Sequence, residues 1–218
     1  MGVQVSQGTQ LYIAATYGTQ FSITGITNAT EGVATLSASH GIIVGDIFEI
    51  TSGWGRLTRR LVRAKVVSVN DVTLESIDTS STSLFPNAPT GGAGTGREIL
   101  TWATISQIKD FSADVPSVDF IDTTFLEDQS RTEIPGLVNA VKITATFGFD
   151  LSLAWLPTVR SASQTNALTG LRMITPGNNK IYGNGYFKLA EFPAPAIGDI
   201  IKSGINISLA SDATAYAT

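Results

Sequence analysis

The chain contains no cysteine, which removes disulfides, thiolate nucleophiles and cysteine-type zinc sites together. His40 is the single histidine, so no cluster of imidazole ligands forms within one chain. Charge is scarce: Asp, Glu, Lys and Arg make up 15% of the residues, against roughly a quarter in an average globular protein. No apolar run approaches the ~20 residues that cross a bilayer as a helix, so no membrane partner is expected. The opening Met1-Gly2-Val3-Gln4 lacks the basic start and apolar stretch of a secretory signal. With 14 basic and 18 acidic residues, net −4, the chain has little general affinity for nucleic-acid phosphates.

What is present is rich in hydroxyls and in β-formers. At 218 residues the chain suits one or two domains with a real core. A surface poor in charge and rich in Ser and Thr predicts that much of the exterior is covered by other subunits. Short runs of Val, Ile, Thr, Phe and Tyr recur between Gly, Asn, Asp and Pro, which marks a mainly β protein. Strands are expected over 10–16 and 21–26, then over 33–37, 46–51, 61–69 and 72–77, with a tight turn at Asn70-Asp71. This compact series reads as a small β-barrel or curled sheet. Residues 78–97 hold Pro86, Pro89 and a glycine-rich run and read as a flexible linker. The expected division is a core domain from 1–27 and 98–218, with a small β subdomain and its linker inserted at 28–97.

Further on, 104–111 reads as a strand and 114–139 as a long acidic loop or extended arm. The period-two pattern is strongest over 140–155. There Val141, Ile143, Ala145, Phe147, Phe149, Leu151 and Leu153 fall on one face and Lys142, Thr144, Thr146 and Ser152 on the other. A strand of that length predicts a bend at Gly148. A single helix is expected over 158–171, capped by Thr158. Strands resume at 172–175, 180–182, 186–192 and 200–209, and the final residues, 210–218, read as loose.

Few residues suggest chemistry. A nucleophilic triad could use only His40, and no nucleophile-elbow sequence accompanies it, so His40 reads as a turn residue. The glycine run at 91–97 lacks the Lys-Ser/Thr ending and flanks of a phosphate loop. Asp119, Asp122, Glu127 and Asp128 read as a solvated acidic loop rather than a metal or acid–base site. No catalytic, metal-binding or cofactor-binding residue is expected, and no enzyme. Five of the 14 basic residues lie between positions 56 and 65. Arg56, Arg59, Arg63 and Lys65 beside Trp54 would form an outer-surface basic patch, which raises the alternative of a nucleic-acid- or glycan-binding β module. Arg59, Arg63 and Lys65 would share a strand face opposite Val62, Ala64 and Val66. The plainer reading is a solvated strand face beside an acidic neighbour.

The later two thirds of the chain follows a recognisable order: an acidic arm with Phe125-Leu126-Glu127-Asp128, a long alternating strand leaving through Leu153-Ala154-Trp155-Leu156-Pro157, a short helix and a strand meander. In this order it resembles the major tail tube proteins of lambda-type siphovirus phages, whose long tails do not contract. The resemblance covers roughly residues 104–210 and the strand near Leu11. It implies a tail-tube-type β-sandwich or curled sheet with one flanking α-helix, to which this sequence adds the inserted barrel-like subdomain. It further implies a structural virion protein, assembled in the host cytoplasm, that forms homohexameric rings stacked into a tube through which DNA is ejected. The partners implied are other copies, a tape measure protein, a tail terminator and tail-tip proteins, while DNA passes through the lumen without specific binding. On this reading Phe125, Leu126 and Ile134 supply apolar contact between rings or subunits, and Glu127, Asp128 and Arg131 set register. Two departures are expected: the insertion, and the lack of the lambda-type C-terminal immunoglobulin-like domain. A terminator or connector subunit is a related alternative.

Overall fold

The computed structural model describes residues 7–87, 91–193, 195 and 197–217. Its first strands are β1 (Gln10–Tyr17), β2 (Phe21–Ile26), β3 (Val33–Leu36), β4 (Ile47–Ser52), β5 (Arg60–Ser68), β6 (Asp71–Leu74) and β7 (Gly94–Ile105). After them come β8 (Ile108–Ala113), β9 (Val118–Asp122), β10 (Glu133–Val138) and β11 (Lys142–Gly148). The helix α1 (Leu156–Thr165) precedes β12 (Leu168–Ile174), β13 (Lys180–Leu189), β14 (Lys202–Leu209) and β15 (Thr214–Tyr216).

Six strands close a barrel in the order β2-β3-β6-β5-β4-β7, because β2 pairs back onto β7. Alternation drives the closure. Phe21 and Ile23, Ala34 and Leu36, Phe48 and Ile50, Val62 and Ala64, and Val72 and Leu74 all point into one core. The turn between β5 and β6 falls one residue earlier than expected, at Val69-Asn70, with Val69 at φ +53°. That left-handed conformation is costly for a β-branched residue.

Of the stretch expected to be a flexible linker, residues 88–90 lie outside the described residues, and the described part is anchored at particular points. Thr79 and Phe85 are buried, and Gly94 and Gly96 belong to β7. A Cβ on Gly94 would lie 1.9 Å from the Thr51 carbonyl oxygen, and one on Gly96 would lie 2.5 Å from the Phe21 ring. The glycines here allow strands to approach closely, which composition alone does not distinguish from a linker.

Strand β7 continues out of the barrel. From Ile99 onward it pairs with β1, and the second sheet runs β7-β1-β12-β13-β14-β11-β8, with β15 also on β13. The core face of this sheet carries Leu11, Ile13, Ile143, Phe147, Phe187, Ile205 and Ile207, and Leu156 and Val159 of α1 pack on it. Barrel and sheet meet through Ala14, Ile47, Leu61, Ile99, Tyr182 and Tyr216.

Several expected boundaries move. The strand expected over 140–155 ends at Gly148, where the bend was placed. The Asp150 carboxylate then accepts the Ser152 N–H and hydroxyl, each at 2.8 Å, and turns the chain. Leu151 is therefore exposed, while Leu153 and Trp155 return to the core. The helix starts earlier than expected, with Trp155 rather than Thr158 at its N-cap and Pro157 in its first turn. It stops at Asn166 in a left-handed conformation, so Leu168 and Leu171 belong to β12. The strand expected over 104–111 breaks at Ser106-Gln107, with Gln107 at φ +61°. The end read as loose contributes β15, whose Tyr216 is buried against the barrel.

Candidate functional site

Between β8 and β11 the chain leaves the sheet and returns, and β9 and β10 form a separate two-stranded hairpin there. Val118 and Phe120 lie opposite Val138 and Pro135, and Ile121 lies opposite Ile134. The loop at its tip is held by short-range bonds. The Phe125 N–H donates to Asp128 Oδ2 at 2.8 Å, and the Asp128 N–H donates to the Phe125 carbonyl at 3.0 Å. The Thr124 hydroxyl and N–H beside Asp122 hold its carboxyl below the usual range. Phe125, Leu126 and Ile134 are exposed, Leu126 completely at 106%. Glu127, Asp128 and Arg131 are exposed as well. The hairpin thus brings Phe125 and Asp128 together in one turn and sets Ile134 further down β10.

The arm holds further apolar residues that the sequence reading did not single out: Phe120, Ile121, Leu137 and Val138 are all exposed. Their signal was available as two apolar pairs, Phe120-Ile121 and Leu137-Val138, on opposite sides of the tip. A second exposed apolar group, Phe192, Ile197, Ile200 and Ile201, lies between β13 and β14.

The sheet divides its faces sharply. Ile143, Ala145 and Phe147 enter the core, while Lys142 and Thr144 on β11 and Asn206 on β14 are exposed on the other face. Ser112 and Asp110 of β8 lie opposite Thr144 and Thr146 and extend this polar face. The Thr144 hydroxyl donates to Asn206 Oδ1 at 3.2 Å. Among the described residues, β8 has no partner on its outer side, and neither does β7 from Ile99 to Ile105.

The basic patch does not assemble as the sequence suggested. Trp54 is 4% exposed and lies in the barrel core, edge-on to Phe85, with its indole N–H donating to the Pro86 carbonyl at 2.7 Å. No face of Trp54 is open for a base or a sugar. Arg63 pairs with Glu75 and lies 4.4 Å over the Tyr216 ring. Its hydrogen bond to Glu75 raises the guanidinium pKa further. Lys65 meets Glu31 at 2.6 Å and lowers that carboxyl's pKa. Arg56 and Arg59 are exposed, Arg59 at φ +65° ahead of β5 rather than on it. A register shift between Ala64 and Val66 turns Val66 outward, which breaks the expected opposite face. His40 ties two loops together: its Nδ1 accepts the Ile42 N–H at 3.0 Å and its Nε2 lies 3.0 Å from the Val69 carbonyl.

Cation–aromatic contacts join the barrel to the sheet. The Arg97 guanidinium lies 4.0 Å over Tyr17, donates to Glu49 Oε2 at 2.9 Å and to the Leu168 carbonyl at 3.3 Å. Within the second sheet, Arg172 sits between Tyr12 and Trp102, at 4.1 and 4.7 Å. Burial raises the pKa of Tyr17, Tyr182 and Tyr216. These contacts fix geometry and place no nucleophile beside a base. Among the described residues no group of three or more His, Asp or Glu is arranged to hold a metal ion, and no helix is long and apolar enough to cross a membrane.

The family model of the phage tail tube protein matches residues 52–218. A search of curated proteins finds no match. Among solved structures, a chain from the virion of a native gene transfer agent particle is similar at 16% identity and a TM-score of 0.42, covering 53% of this chain and 89% of that one. A chain from the tail of an empty gene transfer agent particle, refined with C6 symmetry, is similar at 15% identity and a TM-score of 0.42, covering 53% and 87%.

Proposed function

The chain belongs to the phage tail tube protein family, and from that premise we propose how its surfaces build the tube. Its role is structural, as a subunit of the virion tail. Copies join side by side into closed rings of six, the count implied by the resemblance, and the rings stack into a tube that conducts DNA. One observation carries the ring: among the described residues the sheet ends in two unpaired edges, β8 on one side and the outer half of β7 on the other. Two different edges on one subunit suit head-to-tail contact, which closes into rings, and pairing them removes edges that would otherwise invite aggregation.

The polar face with Ser112, Thr144, Thr146 and Asn206 lines the channel in this reading, since the opposite face is taken up by the subunit's own core. Phe125, Leu126 and Ile134 make apolar contact with the next ring, and Glu127, Asp128 and Arg131 set its register. The β-barrel lies on the tube exterior. A tape measure protein, a terminator and tail-tip proteins are the further partners.

Negative-stain electron microscopy of the purified protein at near-physiological salt tests the assembly. Rings or hollow tubes are expected, and particles that stay solitary at every concentration would overturn it. Glu127→Lys with Asp128→Lys is expected to shorten the tubes while leaving single rings intact. Unchanged tube length would remove the arm from the ring-to-ring contact.

A further inference from the structure

The outer wall of the barrel carries a charge that is nearly covered. Phe48 and Ile50 of β4 point into the barrel core, so Glu49 and Thr51 alternate to its outside. Across the ladder they lie opposite Arg97 and Thr95 of β7. Glu49 is nevertheless only 6% exposed. Its Oε2 accepts from Arg97 Nε at 3.3 Å and from Nη2 at 2.9 Å, which leaves Oε1 to accept from elsewhere.

Glu49 lines a pocket of about 180 Å³ together with Gln20, Thr51, Thr95, Gly96 and Arg97. The side chains of Gln20, Thr51 and Thr95 make no hydrogen bond with any described residue. The pocket thus offers a carboxylate oxygen, an amide and two hydroxyls that both give and accept. Polar groups that converge in one concavity mark a ligand site, and here one of them is a buried charge. At Thr95 and Gly96, β7 is paired on both sides, by β2 and β4, so the pocket lies apart from the free edge that begins at Ile99.

Size and charge narrow what fits. At ~30 Å³ per water the volume equals about six waters, room for one six-membered sugar ring and too little for a nucleotide. Glu49 and Arg97 neutralise each other, and the guanidinium beside the carboxylate repels a lone cation. An apolar ligand would strip water from the carboxylate without replacing its hydrogen bonds. A neutral ring with several hydroxyls gives Oε1 its donor and exchanges hydrogen bonds with Gln20, Thr51 and Thr95.

We propose that this pocket binds a single neutral sugar ring, free or at the end of a glycan, with Glu49 Oε1 accepting from one of its hydroxyls. The site goes beyond the tail-tube reading and does not depend on it. Arg97 is itself fixed by Tyr17 beneath it and by the Leu168 carbonyl, so the acceptor is held in place before a ligand arrives. A sugar lacking the matching hydroxyl leaves Oε1 unpaired and is rejected.

Ligand-observed NMR titration of the purified chain with glucose, galactose, mannose and N-acetylglucosamine tests the site. Saturable binding of at least one of them, in the millimolar range, is expected. Thr51→Val combined with Gln20→Ala, at two exposed positions, is expected to weaken it roughly tenfold with Tm unchanged. Glu49→Gln keeps an oxygen toward Arg97 and turns an amide NH2 to the pocket, so it is expected to weaken binding at least as much. No saturable binding of any of the four sugars would overturn the proposal. Equal binding by the variants, or displacement of the sugar by an equal concentration of guanidinium, would overturn it as well. Tubes seen by microscopy beside such a result would leave the tail-tube reading standing, and solitary particles that bind the sugar would leave the pocket standing.

Discussion

Trp155 gives the sharpest test of how the sheet's core is built. It is 1% exposed, meets Phe147 edge-on with ring centroids 4.9 Å apart, and donates its indole N–H to the Ser106 hydroxyl at 3.2 Å. Its carbonyl also accepts the N–H groups of Thr158 and Val159, so it anchors the first turn of α1. Trp155→Ala removes the largest fully buried side chain of this core, and truncations of this kind cost about 3–5 kcal/mol. Of that, ~0.5–1.5 kcal/mol belongs to the aromatic pair with Phe147. For a chain of this size the loss lowers Tm by roughly 6–20 °C. Trp155→Phe keeps the ring contact and loses the bond to Ser106, at about 1 kcal/mol. Urea unfolding followed by far-ultraviolet circular dichroism checks both variants. A loss below about 1 kcal/mol for Trp155→Ala, well short of the truncation range, would refute the view that this residue fastens helix to sheet.

Two further predictions concern charges at the junction. Arg97→Ala leaves the Glu49 carboxylate, 6% exposed, without its ion-pair partner. Breaking such a pair costs about 3 kcal/mol here, at the low end because the Arg97 side chain is itself 36% exposed. Arg97→Lys recovers only part of it, since an ammonium cannot both stack on Tyr17 and fork toward Glu49 and the Leu168 carbonyl. Chemical denaturation of the two variants measures both. For Glu98, burial first and the neighbouring Asp46 carboxylate second raise the pKa above its ordinary 4.5. The folded chain then holds this proton more tightly than the unfolded chain. Its contribution is full below 4.5 and is lost as pH rises through the raised value. Glu98→Gln is expected to flatten that fall and to be more stable than the parent at neutral pH. Urea midpoints measured across the window check it, and an unchanged pH profile would assign the fall to other groups.

The sequence made the face-to-face logic of the strands readable. Phe21 and Ile23, and Ile143, Ala145 and Phe147, enter cores at the period-two positions expected of them. It failed where alternation continued past the end of a strand. Leu151 keeps the pattern but is exposed, because the local competition of the Asp150 carboxylate with the strand ladder turns the chain first. The helix end was misplaced because Leu168 and Leu171 fit a helical stripe, whereas the left-handed Asn166 stops the helix and β12 pairs with β1 and β13. Trp54 beside a basic run looked like a surface feature, and its burial depends on Phe85 and Pro86, which are distant in sequence. The arm was legible from its acids and prolines. Its own strand pairing was not, because Pro135 and Gly136 argue against a strand that is in fact an isolated edge.

Strand β7 belongs to the barrel over its first residues and to the sheet over its last. The two bodies are therefore joined by a beam rather than a tether. Tilting the barrel requires twisting β7, and the strain reaches β1 within a few residues, where Tyr17 lies opposite Ile99. Tension along the strand loads many ladder hydrogen bonds in shear at once. The barrel is a stiff lever, and any push on it is transmitted to the sheet as torque.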